Sequence, residues 1–177
     1  MIVVTHEHCD HIGGLLQGAD WRKLLPKAVL NDAQAQNLAT CMDKPPEPPA
    51  DLVPITWQGL HPLAPGVVLI RAPGHTPGSQ MVYVRRSDGH EYLFMGDTAS
   101  SLDNVRLLRP RSRYVMASGT HGDDRNAVFL QTMALNRLSK AVPDLTLVPG
   151  HDADAIQAIV QSGLMQNGFT PDRQSPF

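Results

Sequence analysis

The order of apolar and polar positions predicts alternating strands and helices in the first part of the chain. The opening run MIVVT is short and β-branched, which predicts a buried strand. Gly13 and Gly14 then predict a tight turn, because glycine frees the backbone. We next expect a helix over LLQGADWRKLL, a strand at AVLN and a helix over DAQAQNLATCM that is capped by Asp32. This β-α-β-α order ends at a proline-rich surface loop, 43–51.

From position 52 the pattern changes to strands and later returns to helices. Strands are predicted at VPITW, VVLIRA, QMVYVRR and EYLFMGD, with a hairpin at Asp88-Gly89 between the last two. A long helix is predicted over DRNAVFLQTMALNRLSKAV, and either Asp123 or Asp124 can cap its start. Its apolar face contains Val128, Leu130, Met133, Leu135 and Leu138. We expect a further strand at LTLVPG and a further helix at DADAIQAIVQSGL.

Side chains with metal-binding chemistry follow the ends of four predicted strands. The stretch THEHCDHIGG comes directly after the first strand, and three later strands end at His75, Asp97 and His151. Loops at one edge of a layered α/β fold converge, and imidazole and carboxylate groups are ligands that zinc prefers. Seven such groups exceed the needs of one zinc ion, so we expect two adjacent metals that share a carboxylate. The candidate ligands are His6, His8, Asp10, His11, His75, Asp97 and His151.

Composition and charge narrow the class of protein. With 177 residues, of which 42% are hydrophobic and 18% charged, the chain is expected to fold as a single domain over 1–177. The net charge of -2 and the absence of a basic run argue against nucleic acid as a partner. No apolar run is long enough for a membrane span and no signal peptide is visible, so we expect a cytoplasmic protein without a membrane partner. Cys9 and Cys41 are expected as reduced thiols, with a disulfide as the alternative.

Four short stretches, THEHCDHIGG, APGHTPGS, FMGDTA and VPGHD, resemble the successive metal motifs of the metallo-β-lactamase fold hydrolases, in the same order. The resemblance extends over 1–163. It implies an α/β fold, the αββα sandwich, with a dinuclear metal site at one edge of its two sheets. It assigns the first metal to His6, His8 and His75 and the second to Asp10, His11 and His151, with Asp97 bridging both. Zinc is the expected metal, and iron and manganese remain open.

The resemblance also implies a reaction. A hydroxide bridging two metals would attack a small-molecule substrate, and Asp10 would orient this nucleophile or pass a proton. We expect hydrolysis of an ester, lactone or thioester. Two alternatives stay open: a member of the same superfamily that cleaves phosphodiesters or β-lactams, and a truncated metal-binding protein without turnover. Glu7 and Cys9 alternate with the ligands and are expected to point away from them. His121, in a glycine-rich loop, is expected at the surface, with substrate contact as the alternative.

The chain departs from the family pattern at its start. Members of this superfamily usually carry a substantial segment before the first motif, whereas here that motif begins at Thr5. We therefore expect a sandwich that is incomplete at its amino terminus. A strand at MIVVT without neighbours exposes apolar faces and unpaired backbone groups. If this is the complete chain, we expect a second copy to cover that strand in a homodimer.

Overall fold

The computed structural model describes residues 1–17, Asp20, 23–38, 52–112 and 123–168. The proline-rich loop 43–51, Cys41 and His121 lie outside these ranges. The first described part contains β1 (Ile2–Val3), α1 (Cys9–Gln17), β2 (Ala28–Val29) and α2 (Asp32–Gln36). The second contains β3 (Leu60–Ala64), β4 (Val67–Arg71), β5 (Gln80–Arg85), β6 (Glu91–Phe94) and α3 (Leu102–Arg106). The last contains α4 (Arg125–Ala141), β7 (Thr146–Val148) and α5 (Ala153–Gln161), and 3₁₀ turns occupy Leu25–Lys27 and Gly96–Ala99.

Two sheets organise the described residues. The larger sheet has the strand order β3-β4-β5-β6-β7, in which the first four strands run antiparallel and β7 is parallel to β6. The smaller sheet is a parallel pair, in which Ile2 lies opposite Ala28 and Val3 opposite Val29. Parallel β6 and β7 end at the same edge, so the residues that follow them are brought together.

Three apolar clusters order the layers. Met95 and Leu93 of the larger sheet pack with Leu135 of α4 and Val105 of α3. On the other face of that sheet, Leu69 and Val82 pack with Val29 of β2, which joins the two sheets. Ile12 and Leu16 of α1 lie on the far side of the smaller sheet, where they pack with Ala28 of β2 and with Leu30. The sequence of layers is therefore helix, sheet, sheet, helix, and the predicted α/β sandwich is confirmed.

Most of the predicted elements are present, but the first part of the chain differs. Gly13 and Gly14 lie inside α1 and do not form a turn. The helix begins directly after His8, whose carbonyl accepts hydrogen bonds from the amides of His11 and Ile12 at 3.0 Å. Burial of the apolar side of α1 against the smaller sheet outweighs the roughly 1 kcal/mol that a helical glycine costs.

Two further predictions need correction, and one strand was not predicted. The cap of α2 is Asn31 and not Asp32, since the Asn31 side chain accepts from the Gln34 amide while the Gln34 side chain accepts from the Asn31 amide. The VPITW segment forms a single bridge, between Ile55 and Asn31, and no strand. Strand β3, which contains Pro62, was not predicted. Proline is tolerated there since β3 lies at an edge of the sheet.

The long helix α4 begins as predicted but buries a different set of residues. Asp124 is its N-cap and accepts from the amides of Asn126 and Ala127. Leu130 of the predicted apolar face is 63% exposed, whereas Thr132 and Asn136 are buried. Both polar side chains are satisfied: Thr132 donates to the Val128 carbonyl and Asn136 to the Val105 carbonyl. None of the helices in the described ranges is long and apolar enough to cross a membrane.

The cysteine prediction is wrong for Cys9, which takes part in a disulfide bond. Cys41 lies outside the described residues. The sequence favoured reduced thiols because two cysteines do not make a disulfide framework. A disulfide depends on how closely two Cα atoms approach in the folded chain, which the spacing of cysteines along a sequence does not report.

Candidate metal centre

All seven side chains that the sequence nominated as ligands lie together at one edge of the sheets. His6 and His8 follow β1, and Asp10 and His11 belong to the first turn of α1. The other three follow strands of the larger sheet, at β4 (His75), β6 (Asp97) and β7 (His151). Three overlapping groups have ligand atoms within 4.8 Å of one another: His6, His8 and His75; His6, His11 and Asp97; Asp10, His11 and His151.

The first group is a buried triangle of imidazoles. His75 Nε2 lies 3.2 Å from His6 Nε2 and 3.0 Å from His8 Nδ1. His6 and His75 are 1% and 3% exposed. Nε2 of His75 thus lies at hydrogen-bonding distance from two other ring nitrogens. It has either one lone pair or one proton, so it can form a hydrogen bond with only one of them. Converging nitrogens of this kind match the ligand set of a divalent metal.

The group formed by Asp10, His11 and His151 is more open to solvent. His11 Nε2 lies 3.3 Å from His151 Nε2, and His151 Nε2 lies 3.2 Å from Asp10 Oδ2. The side chains of Asp10 and His151 are 58% and 46% exposed. This half of the centre therefore faces solvent, while the imidazole triangle closes its inner side.

Asp97 contacts the imidazole triangle through His75, and it contacts the more exposed group through His11 and His151. Its Oδ2 lies 3.5 Å from His75 Nε2 and 3.2 Å from His151 Nε2, and its Oδ1 lies 3.3 Å from His11 Nε2. The side chain is 6% exposed, and from the described residues Oδ1 receives no hydrogen bond of regular geometry. A buried carboxylate oxygen without such a bond, surrounded by imidazole nitrogens, fits a metal ligand. The residues present therefore suit a pair of divalent ions.

Two glycines make room for Asp97. Gly96 has a φ of 51°, which L side chains rarely adopt, and a Cβ there would press on the Thr5 side chain. Gly150 donates from its amide to the Gly96 carbonyl at 3.1 Å, and a Cβ at Gly150 would overlap Asp97 Oδ1. Close backbone approach at these two positions lets β6 and β7 deliver Asp97 and His151 to the same place.

The environment sets the protonation states that metal binding requires. Burial and the neighbouring His11 and His75 lower the pKa of His6 to about 2. Burial and His75 also lower the pKa of His8. At neutral pH both imidazoles are uncharged and retain a lone pair for a ligand bond. Burial raises the pKa of Asp97, but contact with the His11 imidazole outweighs burial and holds that pKa below its usual range.

His11 is the exception among the inner imidazoles. Burial acts against its charged form, yet contact with Asp97 and the charges of Asp97 and Asp10 raise its pKa. In the absence of metal, a proton on His11 would pair with the Asp97 carboxylate. Metal binding has to displace that proton, since a ligand imidazole uses its lone pair.

Three residues behind the ligands orient the histidine rings. The Thr5 hydroxyl contacts Nδ1 of His6 at 3.3 Å and Nδ1 of His11 at 3.4 Å, which leaves both Nε2 atoms directed at the centre. Asp123 Oδ1 lies 3.3 Å from His75 Nδ1, and Arg111 lies against the same nitrogen while donating to Asp123 Oδ2 at 2.5 Å. A carboxylate behind a ligand histidine fixes its ring orientation and tautomer.

Sequence reasoning did not identify Asp123 or Arg111 as part of the centre. Asp123 was considered only as a helix cap, and Arg111 lies in a stretch without a clear pattern. One signal was available, since two consecutive aspartates precede α4 and only one of them can be the cap. The structure divides the two roles between Asp124, which caps the helix, and Asp123, which contacts His75.

This pair of aspartates provides a matched test. If His75 binds a metal, we expect Asp123→Ala to lower the affinity for that metal about 10- to 100-fold, because the ring loses its orienting carboxylate. Asp124→Ala removes the cap and should cost about 1 kcal/mol of unfolding free energy without changing metal affinity. Chelator competition and thermal unfolding would measure the two effects. Equal loss of metal affinity in both variants would contradict the role of Asp123.

Solved structures with a similar fold include several metal-dependent enzymes. An AiiA variant from B. thuringiensis with N-decanoyl-L-homoserine bound at its active site matches with a TM-score of 0.62 and 20% identity. The match covers 89% of this chain and 57% of the other, so the chain spans little more than half the length of that relative. AidC, a dizinc quorum-quenching lactonase, matches with a TM-score of 0.52 and 16% identity over 86% of this chain and 57% of its own.

A third similar structure is TTHA1623 in a di-iron-bound form, with a TM-score of 0.52 and 25% identity over 85% of this chain and 68% of the other. No curated protein sequence matches the chain. The model of the metallo-beta-lactamase superfamily matches residues 2–151, which include all seven nominated ligands. The chain therefore belongs to the metallo-β-lactamase superfamily.

Proposed function

We propose that this protein is a metal-dependent hydrolase that cleaves an ester, lactone or thioester of a small molecule. The observation that carries the proposal is the convergence of five imidazoles and two carboxylates, arranged as two groups that share contacts with Asp97. A protein that needed histidines only for packing would not direct several ring nitrogens at one another at 3.0–3.3 Å.

The ligands divide into two proposed sites. His6, His8 and His75 would hold one divalent ion and Asp10, His11 and His151 the other, with Asp97 bridging them. Two such ions would lower the pKa of a water molecule toward neutrality and polarise the carbonyl under attack. We propose zinc at both positions, since imidazole and carboxylate ligands suit it, and iron or manganese suits the same donors.

The chain's own residues would divide the remaining work. Asp10 is the most exposed of the seven ligand candidates, and its carboxylate stands at the solvent side of the centre. It would orient the attacking water and receive or return a proton as the bond breaks. Asp97 stays ionised at neutral pH, so it would balance positive charge throughout the reaction. Substrate would approach over Asp10 and His151, because the opposite side is closed by buried imidazoles.

Lactones are the first substrates to test. One structural neighbour has N-decanoyl-L-homoserine bound at its active site and another is named a lactonase, although at 16–20% identity they share a fold with this chain and nothing narrower. Lactones, thioesters and simple esters present the same carbonyl chemistry to the centre. Phosphodiesters and β-lactams belong in the panel as alternative substrates of the same superfamily.

Removal of metal tests the proposal directly. We expect protein loaded with zinc to hydrolyse at least one ester, lactone or thioester, to lose that activity in chelator and to regain it when zinc is restored. Elemental analysis of the active form should find two metal ions per chain. If fully loaded protein turns over no member of the panel, the metal-binding alternative without turnover replaces the hydrolase.

A further inference from the structure

Glu7 is a buried carboxylate between two ligand candidates that is not itself part of the ligand cluster. It lies between His6 and His8 in sequence and is 1% exposed. Its Oε2 accepts a hydrogen bond from the Thr76 hydroxyl at 2.9 Å, and its Oε1 accepts from the Gly78 amide at 3.2 Å. No lysine or arginine in the described part of the chain forms an ion pair with it. Both of its bonds therefore go to the turn that carries His75.

The turn that donates these bonds, which contains Thr76 and Gly78, is tightly enclosed. A Cβ at Gly78 would overlap both Glu7 Oε2 and Gln34, so the backbone approaches the carboxylate more closely than any other residue allows. The Gly78 carbonyl accepts from Asn31 Nδ2 at 2.8 Å, which holds the opposite face of the turn to the start of α2. Gly78 is thus held on one side by Glu7 and on the other by Asn31.

The chain that precedes Glu7 is anchored in the same way. The Val4 carbonyl accepts from the side-chain amides of Gln34 at 2.9 Å and Gln80 at 2.7 Å. The Thr5 carbonyl accepts from the backbone amide of Gln80 at 2.9 Å. Gln34 and Gln80 are 0% and 1% exposed. Buried hydrogen bonds of this kind resist rearrangement, because breaking one leaves a polar group without a partner.

These contacts connect the two segments that would ligate the first metal. His6 and His8 come from the segment after β1 and His75 from the turn after β4, and Glu7 joins them through two hydrogen bonds. We propose that Glu7 is a positioning residue, which sets the separation of His75 from His6 and His8 and thereby the affinity of this trio for a divalent metal. The inference rests on the metal site described under the proposed function.

Two substitutions separate positioning from charge. Glu7→Gln keeps the shape of the side chain. Its amide oxygen can accept from the Gly78 amide, and its amide nitrogen can donate to the Thr76 hydroxyl. That hydroxyl can then donate to Ser79 Oγ, which lies 2.9 Å away. Glu7→Ala removes both bonds. Asn136→Ala is the control, because it deletes a buried polar side chain that donates to Val105 in a different cluster.

Metal affinity by chelator competition and the visible spectrum of the cobalt-loaded protein are the readouts, with thermal unfolding of the metal-free protein beside them. We expect Glu7→Ala to retain one ion at a chelator concentration where the wild type retains two. Its affinity at the weakened site should fall about 10- to 100-fold, and its cobalt spectrum should differ from that of the wild type. Glu7→Gln should stay within a few-fold of the wild type. Asn136→Ala should unfold at a lower temperature and bind both ions normally.

Two results would overturn the inference. One is a Glu7→Ala protein with lowered stability but unchanged affinity and spectrum, and the other is an equal loss in the Gln and Ala variants, which would assign the effect to charge. If Glu7→Ala does not fold, Thr76→Val removes one of the two bonds and should lower affinity in the same direction. Because these readouts need no substrate, a protein that binds two metals but hydrolyses nothing would refute the hydrolase and leave this inference standing.

Discussion

Replacing Asp97 with alanine is expected to abolish hydrolysis and to release one or both metal ions. Asp97 contacts His11, His75 and His151, so its carboxylate lies within reach of both proposed sites. Its loss would remove a negative charge from between the two proposed cations and a ligand from each of them. We expect activity at least about 10³-fold below the wild type, comparable to losing a central catalytic group. Elemental analysis after dialysis and turnover at saturating zinc would measure both effects.

The neighbouring residue supplies the control for this experiment. Thr98 is also buried, and its hydroxyl has no hydrogen-bond partner among the described residues. Thr98→Val keeps the shape and should retain both metals and full activity. Full metal occupancy in Asp97→Ala would show that Asp97 does not bridge, whereas loss of metal in both variants would point to a general disturbance of the turn at 96–99.

Replacing Asp10 with asparagine is expected to have the second largest effect. The carboxylate is the candidate for moving a proton, and general acid-base groups contribute about 10²- to 10⁴-fold to rate. Asparagine keeps the size of the side chain and an oxygen that can bind metal, but it cannot accept a proton. We therefore expect kcat at saturating zinc to fall by about 10²-fold or more, with a weaker second ion. Because Asp10 is 58% exposed, unfolding should change little.

An exposed aspartate outside the ligand cluster serves as the comparison. Asp103 lies on the surface of α3, and Asp103→Asn should leave kcat unchanged. If Asp10→Asn retains wild-type kcat once zinc is saturating, Asp10 is at most a ligand and the proton must move through another group. If kcat falls while both ions remain bound, the acid-base role is supported independently of metal affinity.

The family and the layered α/β fold were predictable because their signals are local. Each metal motif is a short run that combines glycine with histidine, aspartate or both, and it follows an apolar strand. The match to the superfamily over residues 2–151 confirms that prediction. The roles of the individual ligands and of Asp10 stay predictions, and the experiments above address them.

Local signals misled where tertiary packing outweighed them. Gly13 and Gly14 predicted a turn, yet α1 continues through them because its apolar face is buried against the smaller sheet. Strand β3 was not predicted, yet it forms at an edge of the sheet, where the missing N–H of Pro62 needs no partner. Neither outcome follows from the residues within a few positions, since each depends on what the segment packs against.

The sequence by itself determined which groups are available to bind metal and the order in which strands deliver them. Only the tertiary structure decided which polar residues support them. Asp123 reaches His75 from the start of α4, and Glu7 turns away from its neighbouring histidines to the turn at Gly78. The physical reason is that ligand motifs are specified by neighbours along the chain. The residues that orient the ligands depend instead on the fold, because they are the ones that lie within hydrogen-bonding distance of polar groups buried there.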